Sequence, residues 1–201
     1  MVAHLARNAD AQRRLIAGAL DGLEVEQYPG GRDREVELGA GRSGAELLTD
    51  LRIASEALDE VWTSLAPNEW ELVCATAHAR RTLRGGVSAR WREVEVHHVD
   101  LDAGYGPADW SAEFVREFLP RTVLGMPARA VAVPVGRSWR VREIGGAAWR
   151  ITADAVTLDD EPADYEIVGA GAELLAWLLG RGPHGVDTGG APDLPWYFPF
   201  A

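Results

Sequence analysis

Lysine is absent from this chain: all 20 basic side chains are arginine, set against 31 acidic ones, for a formal net charge of −11. With no basic excess and no patch that groups the arginines, the chain has no electrostatic footprint for nucleic acid. The Lys-free composition points to a GC-rich genome more than to a function. Cysteine is nearly absent too. A lone Cys74 excludes an internal disulfide and makes a reducing cytoplasm the expected setting. It has no CxxC partner, and a lone cysteine of this kind is most often structural. There is no apolar run of about 18 residues and no secretory leader pattern, so neither membrane spanning nor export is expected. A Walker loop, a GxGxxG after a strand and a nucleophile elbow are also missing. Gly39-Ala40-Gly41-Arg42 does not follow a hydrophobic strand and resembles a loop more than a phosphate cradle.

What is present is an ordinary globular composition, 47% hydrophobic and 25% charged over 201 residues. That suffices for one large domain or two small ones. Val2 to Leu20 reads as helix, with Val2, Leu5, Ala9, Ile16 and Leu20 on one narrow apolar stripe. Asp21 to Arg42 is loop-like, with Pro29-Gly30-Gly31 and alternating charges. Ser43 and Glu46 form a capping box that opens a second helix through about Leu65. Gly85-Gly86 reads as a break, Ser88 as the start of a third helix ending near Gly104, and Ala112 to Leu124 as a fourth. The texture changes around Met126-Pro127. Short β-rich runs follow at Ala130 to Val135, Ser138 to Ile144, Ala147 to Ala153 and Asp164 to Val168, then a last helix from Ala172 to Leu179. The aromatic tail, Leu194 to Phe200, is expected to pack back onto the body. The layout implied is a helical domain over 1–126 and a small α/β domain over 127–201.

The densest chemistry lies in Arg92-Glu93-Val94-Glu95-Val96-His97-His98-Val99-Asp100. On a helix, Glu93 and His97 are one turn apart and point the same way. A carboxylate and an imidazole aimed at one point form two-thirds of a three-ligand metal site. The third ligand must come from elsewhere, and His4 is the candidate. At about 100° per residue, Arg90, Glu93, Val94, His97 and Leu101 share one sector, while Arg92, Glu95 and Asp102 point away. His98 lies beside Trp91 and reads as a packing residue. The alternative is an ion pair of Glu93 with Arg90 or Arg92 and an ordinary boundary histidine at His97. Read in isolation, His4 sits off the apolar stripe near Asn8 and Leu15, where a histidine is solvent-facing more often than not. His78 and His184 read as surface residues.

The segments Val2-Ala3-His4-Leu5-Ala6-Arg7-Asn8-Ala9-Asp10 and Arg90-Trp91-Arg92-Glu93-Val94-Glu95-Val96-His97-His98-Val99-Asp100-Leu101 resemble the two signatures of mycothiol-dependent maleylpyruvate isomerases. Gly104-Tyr105-Gly106-Pro107-Ala108-Asp109-Trp110 continues the likeness. The resemblance covers nearly the whole chain and implies an α+β fold. Its parts are a DinB-like helical bundle, here reduced at the N-terminus by the usual opening helix, and a small sterol-carrier-like α/β domain. It also implies an actinobacterial, cytoplasmic enzyme with one zinc per chain on His4, Glu93 and His97, and mycothiol as thiol cosubstrate. In such an enzyme the thiolate adds to the cis double bond of maleylpyruvate; bond rotation and thiolate expulsion then give fumarylpyruvate. Arg181 resembles the arginine through which the family's second domain reaches the active site, or else it caps the last helix. Arg7 and Arg90 are further candidates for binding the dianionic substrate. The partners expected are small molecules, with no nucleic acid or membrane, and a homodimer that covers the face of the missing helix. The competing reading is a non-catalytic, metal-binding, oligomeric DinB-like protein.

Overall fold

The computed structural model describes residues 1–76, 79–126, 136–182 and 185–191. His78, His184, the Ala130 to Val135 run and the aromatic tail lie outside the described residues. Contacts divide the chain into two compact units, Met1–Leu101 and Asp102–Ala201. The change in sequence texture falls later, at 126/127.

The first unit contains α1 (Val2–Leu20), α2 (Arg32–Ala40), α3 (Gly44–Ser64) and α4 (Leu83–Val99), with a small antiparallel pair, β1 (Val73–Ala75) and β2 (Arg80–Thr82), between α3 and α4. Its core gathers Ala6, Ala9, Leu15 and Ile16 of α1, Ala54 and Leu58 of α3, and Leu65, Cys74 and Leu83. The alanines on α1 let α3 approach closely, and removal of this apolar surface from water is the main stabilising contribution. The buried face of α1 is wider than the apolar stripe, and Leu20 at its end is 43% exposed.

Helix α2 occupies ground that reads as loop. It has little apolar content, so periodicity gives no sign of it. Asp33 and Glu35 lie in its first turn, where the helix dipole favours negative charge. Arg14 of α1 holds the segment through Glu35 Oε2 at 3.0 Å and the Gln27 carbonyl at 3.0 Å. Helix α3 begins as its sequence predicts: Ser43 Oγ accepts from the Glu46 N–H at 3.4 Å, and the Glu46 carboxylate accepts from the Ser43 N–H at 2.8 Å.

Helix α4 does not break at Gly85-Gly86. It begins at Leu83, with Thr82 Oγ1 accepting from the Gly85 N–H at 3.2 Å, so both glycines fall in the first turns. Gly86 is there for proximity: a Cβ would stand 3.0 Å from Gln12 Oε1 of α1. The helix stops at Val99, and the chain beyond it passes through the left-handed region at Asp102 (φ 50°) and Gly104 (φ 86°).

Two arginines fasten α1. Arg7 Nη2 donates to both carboxylate oxygens of Asp50 of α3, at 2.8 and 2.9 Å, and Arg42 Nη2 reaches the same carboxylate at 2.6 Å. Arg90 of α4 is 7% exposed and donates to the Leu5 carbonyl at 2.7 Å, Asn8 Oδ1 at 3.0 Å and Ser55 Oγ at 3.3 Å, tying α4 to both α1 and α3.

The second unit holds α5 (Ala112–Leu124), strands β3 (Trp139–Glu143), β4 (Ala148–Ile151), β5 (Val156–Leu158) and β6 (Tyr165–Gly169), and α6 (Gly171–Leu178). The strands form one sheet in the order β5-β4-β3-β6, antiparallel except for β3 beside β6. Period-2 alternation buries Trp139, Val141, Trp149, Ile151 and Ile167 on one face. Arg140, Arg142 and Glu166 lie on the other, with Arg140 Nη2 and Arg142 Nε each 2.8 Å from Glu166 Oε1. Helices α5 and α6 pack together, and Phe114, Phe118, Leu174 and Leu175 are buried. Among the described residues no helix is long and apolar enough to cross a membrane.

Two stability predictions come from the arginine contacts. The hydrogen bond from Arg42, with Arg7 adding its charge, holds the Asp50 carboxyl below the usual carboxylate range. The stability Asp50 supplies is therefore complete above its unfolded pKa of about 3.9 and is lost as pH falls through the lower folded value. Urea unfolding should find Asp50→Asn less stable than wild type at neutral pH, with the gap closing below about pH 4. Arg90→Met should cost about 3 kcal/mol, because buried acceptors on Leu5, Asn8 and Ser55 lose their donor. Urea unfolding in the presence of a chelator measures that loss apart from any metal.

Candidate metal centre

The site lies within the first unit, on facing sides of α1 and α4. His4, Asn8 and Gln12 recur at intervals of four along α1 and are all buried, forming a polar row instead of an exposed edge. Opposite them α4 presents Arg90, Glu93 and His97. Such a row is tolerated only where its polar atoms find partners. Arg90 serves Asn8, and Arg81 Nη2 donates to Gln12 Oε1 at 3.3 Å.

At the His4 end of the row, three side chains converge. His4 Nε2 lies 2.9 Å from Glu93 Oε2, and His97 Nε2 lies 3.5 Å from the same oxygen. The two imidazoles meet edge to face, with centroids 4.9 Å apart and planes at 83°. Each histidine is 7% exposed. One ligand atom from each of the three residues falls within 4.8 Å of the others. Two nitrogens on a tetrahedral zinc stand about 3.3 Å apart, so only a small contraction is needed to bring this set onto one ion. His4 Nδ1 is buried with no hydrogen-bond partner among the described residues, so this ring is held by its surroundings and by Glu93.

Burial pushes the Glu93 carboxyl up. Hydrogen bonds from His4 and His97, and the charge of those rings, more than reverse this and hold it well below the usual carboxylate range. The group is thus an ionised carboxylate wedged between two imidazoles, a donor set of two nitrogens and one oxygen. That set suits a zinc ion and leaves a coordination position for a further ligand. The residues present fit the metal.

The ion pair of Glu93 with Arg90 does not form, since the Arg90 donors are engaged by Leu5, Asn8 and Ser55. Burial lowers the Arg90 pKa, and Glu93, Asp59 and Tyr28 offset only part of this through space. Arg7 is likewise engaged, by Asp50. Both arginines brace the start of α1, where His4 sits, instead of standing open to a substrate. Arg181 lies in the second unit just after α6, and its guanidinium donates to the Leu179 carbonyl. That is the contact of a helix-end residue. His98 is exposed.

Three residues escape a reading of the sequence by ligand type. Asn8 and Gln12 carry no metal chemistry but show themselves by their spacing from His4. Asp100 contacts His97 Nδ1 at 2.7 Å and stands three residues beyond it, a helical neighbour.

No curated protein matches the chain. Its fold matches two crystal structures, one of a mycothiol-dependent maleylpyruvate isomerase and one of a histidine-to-alanine mutant of that enzyme. Each aligns with a TM-score of 0.80 and 22% identity, covering 96% of this chain and 79% of the other. The shared architecture is α+β, a helical first part followed by a small β-containing part. Residues 1–102, which carry the whole His4–Glu93–His97 cluster, match the family described as the mycothiol maleylpyruvate isomerase N-terminal domain, and the chain belongs to that family.

Proposed function

We propose that this protein is a zinc-dependent, mycothiol-using isomerase or S-transferase acting on a small unsaturated acid of the maleylpyruvate type. The observation that carries this reading is the buried His4–Glu93–His97 cluster in a chain of this family. The ion, when bound, supplies a Lewis acid that lowers the pKa of a thiol and holds it as thiolate at neutral pH. The chain's own residues supply the rest. Glu93 supplies an ionised carboxylate between the two rings, a charged oxygen donor already in place where the ion would enter. His4 and His97 offer lone pairs from different helices, and Arg90 keeps those helices in register. Their low exposure restricts water around the cluster.

Arg181 is the proposed cation for the substrate carboxylates, as the family resemblance implies. Neither Arg7 nor Arg90 supports that role as well, because both are committed to the scaffold. We place the chemistry in an actinobacterial cytoplasm, where the single thiol Cys74, buried here, stays reduced. The proposed division of labour assigns the metal to the helical part and substrate contact to the C-terminal α/β part.

Elemental analysis of the purified chain should give about one zinc per chain, within the binding strength of catalytic two-histidine, one-carboxylate sites. His4→Ala and His97→Ala should each lose the metal while far-UV circular dichroism stays close to wild type. Maleylpyruvate isomerisation, followed by absorbance, should require mycothiol and vanish in both variants. Zinc retention by either variant would overturn the ligand assignment. Zinc without thiol-dependent turnover would leave a metal-binding protein of another activity. Arg181→Ala should reduce turnover about tenfold or more with zinc content unchanged; equal activity would leave Arg181 as a helix cap.

A further inference from the structure

Asp100 stands outside the ligand cluster, yet it makes the shortest contact to either of its rings: Asp100 Oδ2 is 2.7 Å from His97 Nδ1. The other nitrogen of that ring, Nε2, is the one that faces Glu93. A neutral imidazole carries one proton, and a carboxylate at Nδ1 accepts a hydrogen bond only if the proton is there. The Nε2 lone pair is then bare on the side where His4 and Glu93 converge.

The position of Asp100 strengthens this argument. It is the C-cap of α4, with its backbone N–H 3.4 Å from the Val96 carbonyl. A carboxylate at that point meets the negative end of the helix dipole, which disfavours it. Helix stability does not account for an acidic residue here, whereas a bond to the imidazole one turn back does. The two rings of the cluster differ in this respect. His4 Nδ1 has no partner among the described residues, while His97 Nδ1 has a carboxylate.

We propose that Asp100 is the positioning residue of the metal centre. Its carboxylate fixes His97 as the Nδ1–H tautomer, sets the angle of the ring, and presents Nε2 to the ion alongside His4 and Glu93. The inference rests on the metal reading above and adds to it a residue that touches neither the ion nor the substrate. A carboxylate behind a ligating imidazole also raises the donor strength of the far nitrogen.

The test uses the full chain and two readouts. Long-range proton–nitrogen correlation on ¹⁵N-histidine protein, metal-free and at about pH 8, where an ordinary imidazole is neutral, reports the tautomer of His97. Its signals are identified by their loss in His97→Ala. Wild type should show Nδ1–H. Asp100→Ala should lose that preference, with the proton moving to Nε2 to reach Glu93. Asp100→Asn should keep it, because the amide oxygen accepts the same bond.

Competition with a chelating dye reports zinc affinity. Asp100→Ala should weaken it by about 10- to 100-fold, and Asp100→Asn by less, since only the charge is lost. An unchanged tautomer together with a zinc Kd within about twofold of wild type in Asp100→Ala would overturn the proposal. If Asp100→Ala does not fold, a wild-type Kd in Asp100→Asn would do the same. A wild type that binds no zinc would fail the metal reading instead, and the tautomer would still decide whether Asp100 sets the ring.

Discussion

The Arg90 guanidinium is the contact on which the geometry of the first unit depends. It is a buried charge that holds the Leu5 carbonyl, Asn8 and Ser55 at once, so one side chain fixes the separation of α4 from α1 and from α3. Desolvating a guanidinium is costly, and only several good acceptors make it tolerable. That requirement sets the polar row on α1: Asn8 must face inward, and the helical repeat then turns His4 and Gln12 inward with it. His4 is the residue before Leu5, so the bond to the Leu5 carbonyl sets where the first ligand stands. Lysine at position 90 could not replace this fork, being a point charge without fixed donor directions.

How much of this was legible in the sequence depended on what kind of signal each feature leaves. Helices α1, α3 and α5 have apolar faces or caps, and their limits follow closely from Val2–Leu20, Ser43–Glu46 and Ser111. Helix α2 has neither. It is stabilised by Arg14 from another helix, and local periodicity cannot report a tertiary contact. Glycine misled at Gly85-Gly86 for a similar reason. Gly86 permits close approach to Gln12 near the start of the helix, where glycine is inexpensive, and a reading along one chain sees only the propensity.

The site divides in the same way. Glu93 and His97 were visible because their spacing alone places them together. His4 required the family resemblance, since in isolation it sits off the apolar stripe and looks solvent-facing. Its burial becomes intelligible only beside Asn8 and Gln12, a second stripe made of amides. The roles of Arg7 and Arg90 were hidden because a cation near a candidate site is equally suited to an anion and to a buried acceptor. Composition does not say which of the two is nearer. The short strands β1, β2 and β5, of three residues each, leave too brief an alternation to read.

His4 and Glu93 meet across 89 residues of sequence, whereas Glu93 and His97 are prealigned as soon as α4 coils. A chain leaving the ribosome therefore displays α1, with its row of histidine and amides, long before its partner surface has been made. Contacts so distant in sequence form late, because the intervening loop must close before they repay it. The centre then works as a completion signal for the first unit. Two of its three donors exist in any state that contains α4, but the third arrives only when α1 has docked, so a half-folded chain cannot hold the ion as the finished one does.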